Sequence, residues 1–191
     1  MKPENLDSFN TLSNLVAKGS NLIVQNTRMD FETNTYISEL WRMDKGNWKK
    51  FKSGNNNFSN PKFAKETNAI FYVKTNRSVQ DKSKSKKTSS TIEMQLGRSL
   101  SSIFEIEGSI NNYVLSNNEK FLYVITSEWS EEFKNIEIKD SEPMYYESLP
   151  FRFDTKGIIY NKRGSIYKVN LQSGKSEKVV DGDKHNIISI D

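Results

Sequence analysis

Apolar and polar residues alternate in short runs along most of this chain. In "RGSIYKVNLQSGKSEKVVDGD" (163–183), Tyr167, Val169 and Leu171 recur at every second position while Lys168 and Asn170 face the other way. Gln172-Ser173-Gly174-Lys175 supplies a turn, and the chain returns through Lys178, Val179 and Val180. That pattern predicts two strands in a hairpin. "NLIVQNTR" (21–28), "NAIFYVKTNR" (68–77) and "KFLYVITSEW" (120–129) are three further runs rich in β-branched and aromatic residues, which suit a pleated strand. Each follows a polar turn, "AKGS", "AKET" or "SNNE". Helical periodicity is confined to residues 4–16, where Leu6, Phe9, Leu12 and Val16 are spaced by three, three and four. A short helix is the expectation there, with a loop leading into a strand as the competing reading.

The runs belong to a repeat. Before each lies a shorter strand candidate: "LSNLV", "SNPKFA" and "NNYVLS". After each comes a hairpin. Leu40-Trp41-Arg42-Met43-Asp44 can be laid on Ile166-Tyr167-Lys168-Val169-Asn170, residue type for residue type. The middle copy carries Ile92 and Met94 outgoing, then Ile103, Phe104 and Ile106 returning. Four antiparallel strands at a period of roughly 45–55 residues predict the blades of a β-propeller. The expected fold is all-β, a partial propeller of about three blades in one domain spanning 1–191. Blade 1 covers about 12–55, blade 2 about 58–109, and blade 3 about 110–183 with an insertion at 130–163. Residues 185–191, "HNIISID", would start a fourth blade. Within the insertion, "FKNIEIK" suggests a strand, and "LPFRFDTKGIIY" a hairpin turning at Asp154-Thr155-Lys156-Gly157. The competing architecture is a compact β fold without propeller geometry. Three blades do not close a ring, which takes about four to eight, so other blades, a partner or self-association would have to cover the faces left open.

Composition narrows the chemistry. Of 191 residues, 35% are hydrophobic and 12% aromatic, enough aromatic area to argue against disorder. There is no cysteine, which excludes disulfides and cysteine–zinc sites. No basic stretch followed by an apolar core opens the chain, and no apolar run approaches the roughly 20 residues of a membrane helix. The expectation is a soluble, cytoplasmic protein with no membrane association. Net charge is +4, and Lys82, Lys84, Lys86 and Lys87 form its densest run. That run lacks the interleaved aromatics that base stacking needs, so a solvated loop is preferred to a nucleic-acid contact.

No catalytic constellation is legible. His185 is the lone histidine, and "GRSLS" lacks the final glycine of a nucleophile elbow. No glycine-rich phosphate loop occurs. No catalytic residue, cofactor or metal is therefore expected in this stretch. Glu128, Glu131, Glu132, Glu137, Asp140 and Glu142 cluster, and a solvated insertion is the reading preferred over glycoside chemistry or calcium binding. Trp129, Phe133, Tyr145 and Tyr146 of the same region are candidates for contact with a partner or peptide, against covering the edge of blade 3.

The stretch from Leu15 to Thr75 resembles the first two blades of the prolyl oligopeptidase family, in its acylaminoacyl peptidase branch, and the resemblance as a whole runs from about Leu12 to Asp183. Asp30, Asn34, Leu40, Trp41 and Asp44 occupy matching places. "LPFRFDTKGIIYNKRGSIYKVNLQSGKSEKVVDGD" resembles that branch's third blade. The resemblance implies a propeller that caps an α/β-hydrolase domain and restricts entry to short peptides. It also implies peptide substrates and a serine-peptidase activity housed in a domain not present in these residues, so no catalytic residue carries over. "AKET" and "SNNE" depart from the Ser-Pro-Asp-Gly turns the family favours. The expectation is a non-catalytic, substrate-gating segment whose partners are the remaining blades and a hydrolase domain. The alternative is a stand-alone propeller-like module that binds a protein.

Overall fold

A computed structural model describes residues 10–33, 35–76, 88–129, 152–153, 157–158, 162–182 and 187. Fourteen strands and no helix occur among them. Twelve form three four-stranded antiparallel sheets, the blades of a partial β-propeller. Blade 1 is β1 (Asn10–Lys18), β2 (Asn21–Asp30), β3 (Thr35–Asp44) and β4 (Asn47–Lys52). Blade 2 is β5 (Asn56–Phe63), β6 (Ile70–Asn76), β7 (Ser89–Leu96) and β8 (Ser99–Glu107). Blade 3 runs β9 (Ser109–Leu115), β10 (Phe121–Trp129), β13 (Lys162–Asn170) and β14 (Ser176–Val180). Between its second and third strands, β11 (Arg152–Phe153) pairs with β12 (Gly157–Ile158), the hairpin expected around Asp154–Gly157. "FKNIEIK" lies outside the described residues.

The helix expected over 4–16 is corrected over residues 10–16, where the competing reading of a strand holds; residues 4–9 lie outside the described residues. Residues 10–18 form a strand, paired with β2 from Asn10↔Arg28 to Lys18↔Asn21. A bulge between Ser13 and Val16 breaks the alternation, so Leu12, opposite Asn26, and Val16, opposite Ile23, point to different faces although their spacing of four suggested one. Asn14 sits there at φ 50° and Asn60, at the matching bulge of β5, at φ 51°. Asparagine tolerates that left-handed conformation better than most residues.

Register shows that the blades are copies. Gln25↔Leu40, Val73↔Ile92 and Ile125↔Ile166 are equivalent pairs. In each blade the outer strand slips immediately after that third-strand residue, leaving Phe51, Ile103 or Val179 without an opposite number. The alignment of Leu40–Asp44 with Ile166–Asn170 is thus the alignment in space. Its last position makes the turn: Asp44 pairs with Lys49 at 2.7 Å, and Asn170 Oδ1 accepts from the amides of Gln172 and Ser173 at 2.9 and 3.0 Å. Asp30 plays a similar part at the β2–β3 turn, where its Oδ2 accepts from the Thr33 hydroxyl at 2.7 Å. Hydrogen bonding from Thr33 holds its pKa below the usual aspartate value.

Strand alternation sends successive side chains to opposite neighbours. On β6, Ile70 and Tyr72 pack with Ile23, Leu40 and Phe58 between blades 1 and 2. Phe71 and Val73 turn the other way and pack with Ile92, Phe104, Tyr113, Leu122 and Val124 between blades 2 and 3. The core is therefore two layers between blades. Where the chain leaves one blade for the next, it passes beneath the third strand. Asn57 accepts from the Ser38 amide at 3.0 Å and donates to the Tyr36 carbonyl at 3.1 Å; the Gly108 amide donates to the Thr88 carbonyl at 2.7 Å.

Leu122 is fully buried between blades 2 and 3, so Leu122→Ala is expected to cost about 2–5 kcal/mol of unfolding free energy. Exposed Leu100 replaced by alanine is expected to cost less than about 0.5 kcal/mol. Urea unfolding of the two variants measures the difference.

Candidate interaction faces

Each inner blade face has an upstream and a downstream neighbour, and the repeat says which residues should be covered. The pairings place Leu12, Phe58 and Ile110 at equivalent positions facing the preceding blade. Phe58 is 7% exposed and packs against blade 1, and Ile110 packs against blade 2. Leu12, on blade 1, is 67% exposed. Leu15 repeats the contrast. It is 63% exposed, while Pro61 and Tyr113, at the corresponding places of β5 and β9, are fully buried. Trp41 and Val24 belong to the same face, and Lys50 lies 5.8 Å from the Trp41 ring and 3.1 Å from Glu39. Asn26 Oδ1 and Trp41 Nε1 are buried there without a hydrogen-bond partner among the described residues.

The other end shows the reverse face. Phe51 and Ile103, the slipped residues of blades 1 and 2, pack into the two interblade layers. Val179 has their position in blade 3 and is 45% exposed, beside Val180 at 39%. One further contact sits at that end. A Cβ on Gly164 would come within 2.2 Å of the Ile187 carbonyl oxygen. Gly164 corresponds to Ser38, so Ile187 lies against blade 3 where Asn57 lies against blade 1.

Buried carboxylates mark the upstream faces. Glu93 accepts from the Tyr72 hydroxyl at 2.8 Å and from Lys74 at 3.1 Å. Glu128 accepts from Thr126 at 2.8 Å and Tyr167 at 3.1 Å, and lies 3.6 Å from the Lys178 ammonium. The expectation that Glu128 belongs to a solvated acidic insertion is corrected: it is 9% exposed and fully engaged. Two of those partners, Tyr167 on β13 and Lys178 on β14, lie 39 residues or more away, so its acidic neighbours in sequence gave no hint. The other five acidic residues of that cluster lie outside the described residues.

These networks act on the tyrosines. Burial, with Glu93 beside it, pushes the Tyr72 phenol far above its ordinary value. Burial does the same to Tyr113, whose hydroxyl donates to the Asn60 carbonyl at 2.7 Å. Tyr167 is raised by burial and by Glu128. For Lys178, burial pulls down, but Glu128, Tyr167 and Asp181 outweigh it and the net shift is upward.

Among the candidate contact residues, Trp129 ends β10 with its backbone paired to Lys162. Phe133, Tyr145 and Tyr146 lie outside the described residues, as do His185 and the 82–87 lysine run. No group of three or more acidic or histidine side chains suited to a metal occurs among the described residues. A cleft of about 170 Å³ between blades 1 and 2 is lined by Asn21, Arg42, Phe51, Phe63 and Gln95. Its Arg42 donates to Asn21 Oδ1 at 2.6 Å.

No protein-family model matches the chain, and no curated protein matches it. Solved structures do. An acylaminoacyl peptidase from Pyrococcus horikoshii, in an orthorhombic crystal form, aligns over 93% of this chain at 14% identity with a TM-score of 0.66. An acylaminoacyl peptidase in complex with Z-Gly-Gly-Phe-chloromethyl ketone aligns over 90% at 13% identity and 0.62. At such identities the likeness is one of fold. The chain spans 26% and 25% of those two proteins.

Two outcomes follow from these faces. Leu12→Ser with Leu15→Ser should leave the urea midpoint nearly unchanged and reduce binding of a hydrophobic dye, whereas Phe58→Ser should unfold the chain; equal destabilisation by both would contradict an uncovered face. Raised phenol pKa values mean that stability is complete below the unfolded tyrosine pKa of about 10 and is lost as pH rises through the folded values. Absorbance of tyrosinate should therefore lag for Tyr72, Tyr113 and Tyr167 until the fold opens, and simultaneous ionisation of all eight tyrosines in the folded state would contradict it.

Proposed function

We propose that this chain supplies consecutive blades of a larger β-propeller that works beside an α/β-hydrolase domain, in an enzyme of the acylaminoacyl peptidase kind. The observation that carries this reading is the pair of uncovered end faces. Leu12 and Leu15 at one end, and Val179 and Val180 at the other, are exposed at positions that other blades bury. Burying a large apolar side chain contributes about 1.5–3 kcal/mol, so each end face favours a further blade. Ile187 against Gly164 supports residues 185–191 as the opening strand of the blade that follows.

In this reading the chain's role is to narrow the approach of peptides to a catalytic centre held elsewhere. Peptide substrates would meet the propeller before they meet a nucleophile. Its own side chains hold the blades in order and carry out no bond cleavage. The purified chain is accordingly expected to release no product from an acylated peptide or a p-nitrophenyl ester. Turnover above the uncatalysed rate would overturn the proposal.

A further inference from the structure

Blade 2 has a turn that binds opposite charges on its two sides. The β5–β6 turn is closed by the Ala64 amide donating to the Ala69 carbonyl at 2.9 Å. Its carbonyls converge on one point, and the Lys18 ammonium of blade 1 fills it. Lys18 Nζ donates to the carbonyls of Ala64 at 2.7 Å, Lys65 at 2.8 Å, and Thr67. Three donors meet three acceptors, the full capacity of an ammonium group. On the opposite side the amides of Lys65 and Glu66 donate to Glu119 Oε1 of blade 3, the second at 3.3 Å. The Lys65 ammonium adds a bond to Asn117 at 3.3 Å.

Lys18 ends the innermost strand of its blade, directly before the tight turn at Gly19, whose φ is 58°. Its side chain therefore starts from a fixed point and reaches across the gap between blades. Hydrogen bonds from a charged donor are roughly twice as strong as neutral ones. A carbonyl cup offers no counter-charge to be screened, so its selectivity rests on fit: a primary ammonium supplies three N–H groups, and a quaternary one supplies none.

We propose that the β5–β6 turn is a receptor for a primary ammonium group, with Lys18 as its tethered ligand, and that this clasp limits how far blade 1 can open from blade 2. The inference does not rest on the peptidase reading. The test is chemical rescue. Lys18→Ala should lower the thermal midpoint by several degrees. Methylammonium chloride should then raise it more than sodium chloride or tetramethylammonium chloride at equal ionic strength, and should not raise the parent. Lys18→Met, which keeps an apolar stem in the way, should gain nothing. Equal effects of the three salts on Lys18→Ala, or a midpoint unchanged by the substitution, would overturn the proposal. Should Lys18→Ala fail to fold, the parent decides. Nitrogen-15 spectra of its lysine ammonium groups should show Lys18 protons exchanging with water much more slowly than those of exposed Lys49, and equally fast exchange would overturn the clasp.

Discussion

A four-stranded blade has two faces and cannot bury either by itself; everything else in this protein follows from that. The chain answers by stacking. Alternation along β6 hands Ile70 and Tyr72 to one neighbour and Phe71 and Val73 to the other, so one strand serves two cores. Because each core lies between blades, the stability of a blade is the stability of its contacts with the next. Among the described residues the middle blade is covered on both faces and the outer two on one, so Leu12 and Leu15 at one end and Val179 and Val180 at the other are exposed where their counterparts in the middle blade are covered.

Polar groups at the same interfaces have a different task. Glu93 and Glu128 are buried, and each is answered by a tyrosine hydroxyl and a lysine. Truncating a single partner would leave an uncompensated charge, a costlier loss than the net contribution of the whole cluster. Near the propeller axis, carboxamides carry the joints. Gln25 accepts from Asn14 at 2.8 Å and from the Asn60 amide at 3.1 Å, and Asn60 donates to Asn112 at 3.2 Å. Such side chains satisfy inner-strand groups that the bulges leave without a ladder partner.

The strands were legible because they are local. Alternation marked the third-strand motif of Leu40–Asp44 and Ile166–Asn170, and the spatial register matches it. The bulge at Asn14 was not legible, since an inserted residue leaves composition unchanged; it puts Leu12 and Val16 on opposite faces, where their spacing of four suggested a shared helical one. The networks were hidden for another reason. Lys18 and Ala64 are 46 residues apart, and Lys65 and Glu119 are 54 apart. Nothing in an "AKGS" or an "SNNE" turn announces which distant loop it will meet. Glu128 shows the same limit, since its acidic neighbours in sequence suggested solvent while its partners on β13 and β14 enclose it.

One position at the blade interfaces changes its chemistry from joint to joint. Lys52 of blade 1 lies 5.1 Å from the Tyr72 ring and within the field of Glu93. The equivalent residue of blade 2 is Phe104, which packs 5.2 Å from Tyr167 of blade 3. In blade 3 the place belongs to Val180. A cation seeks an anion, a ring seeks a ring, and an aliphatic residue seeks neither. Blades that share one backbone thereby meet their neighbours through different chemistry: Lys52 faces the ring of Tyr72 beside Glu93, and Phe104 faces the ring of Tyr167. The joints between blades are told apart by these side chains as well as by the order of the polypeptide.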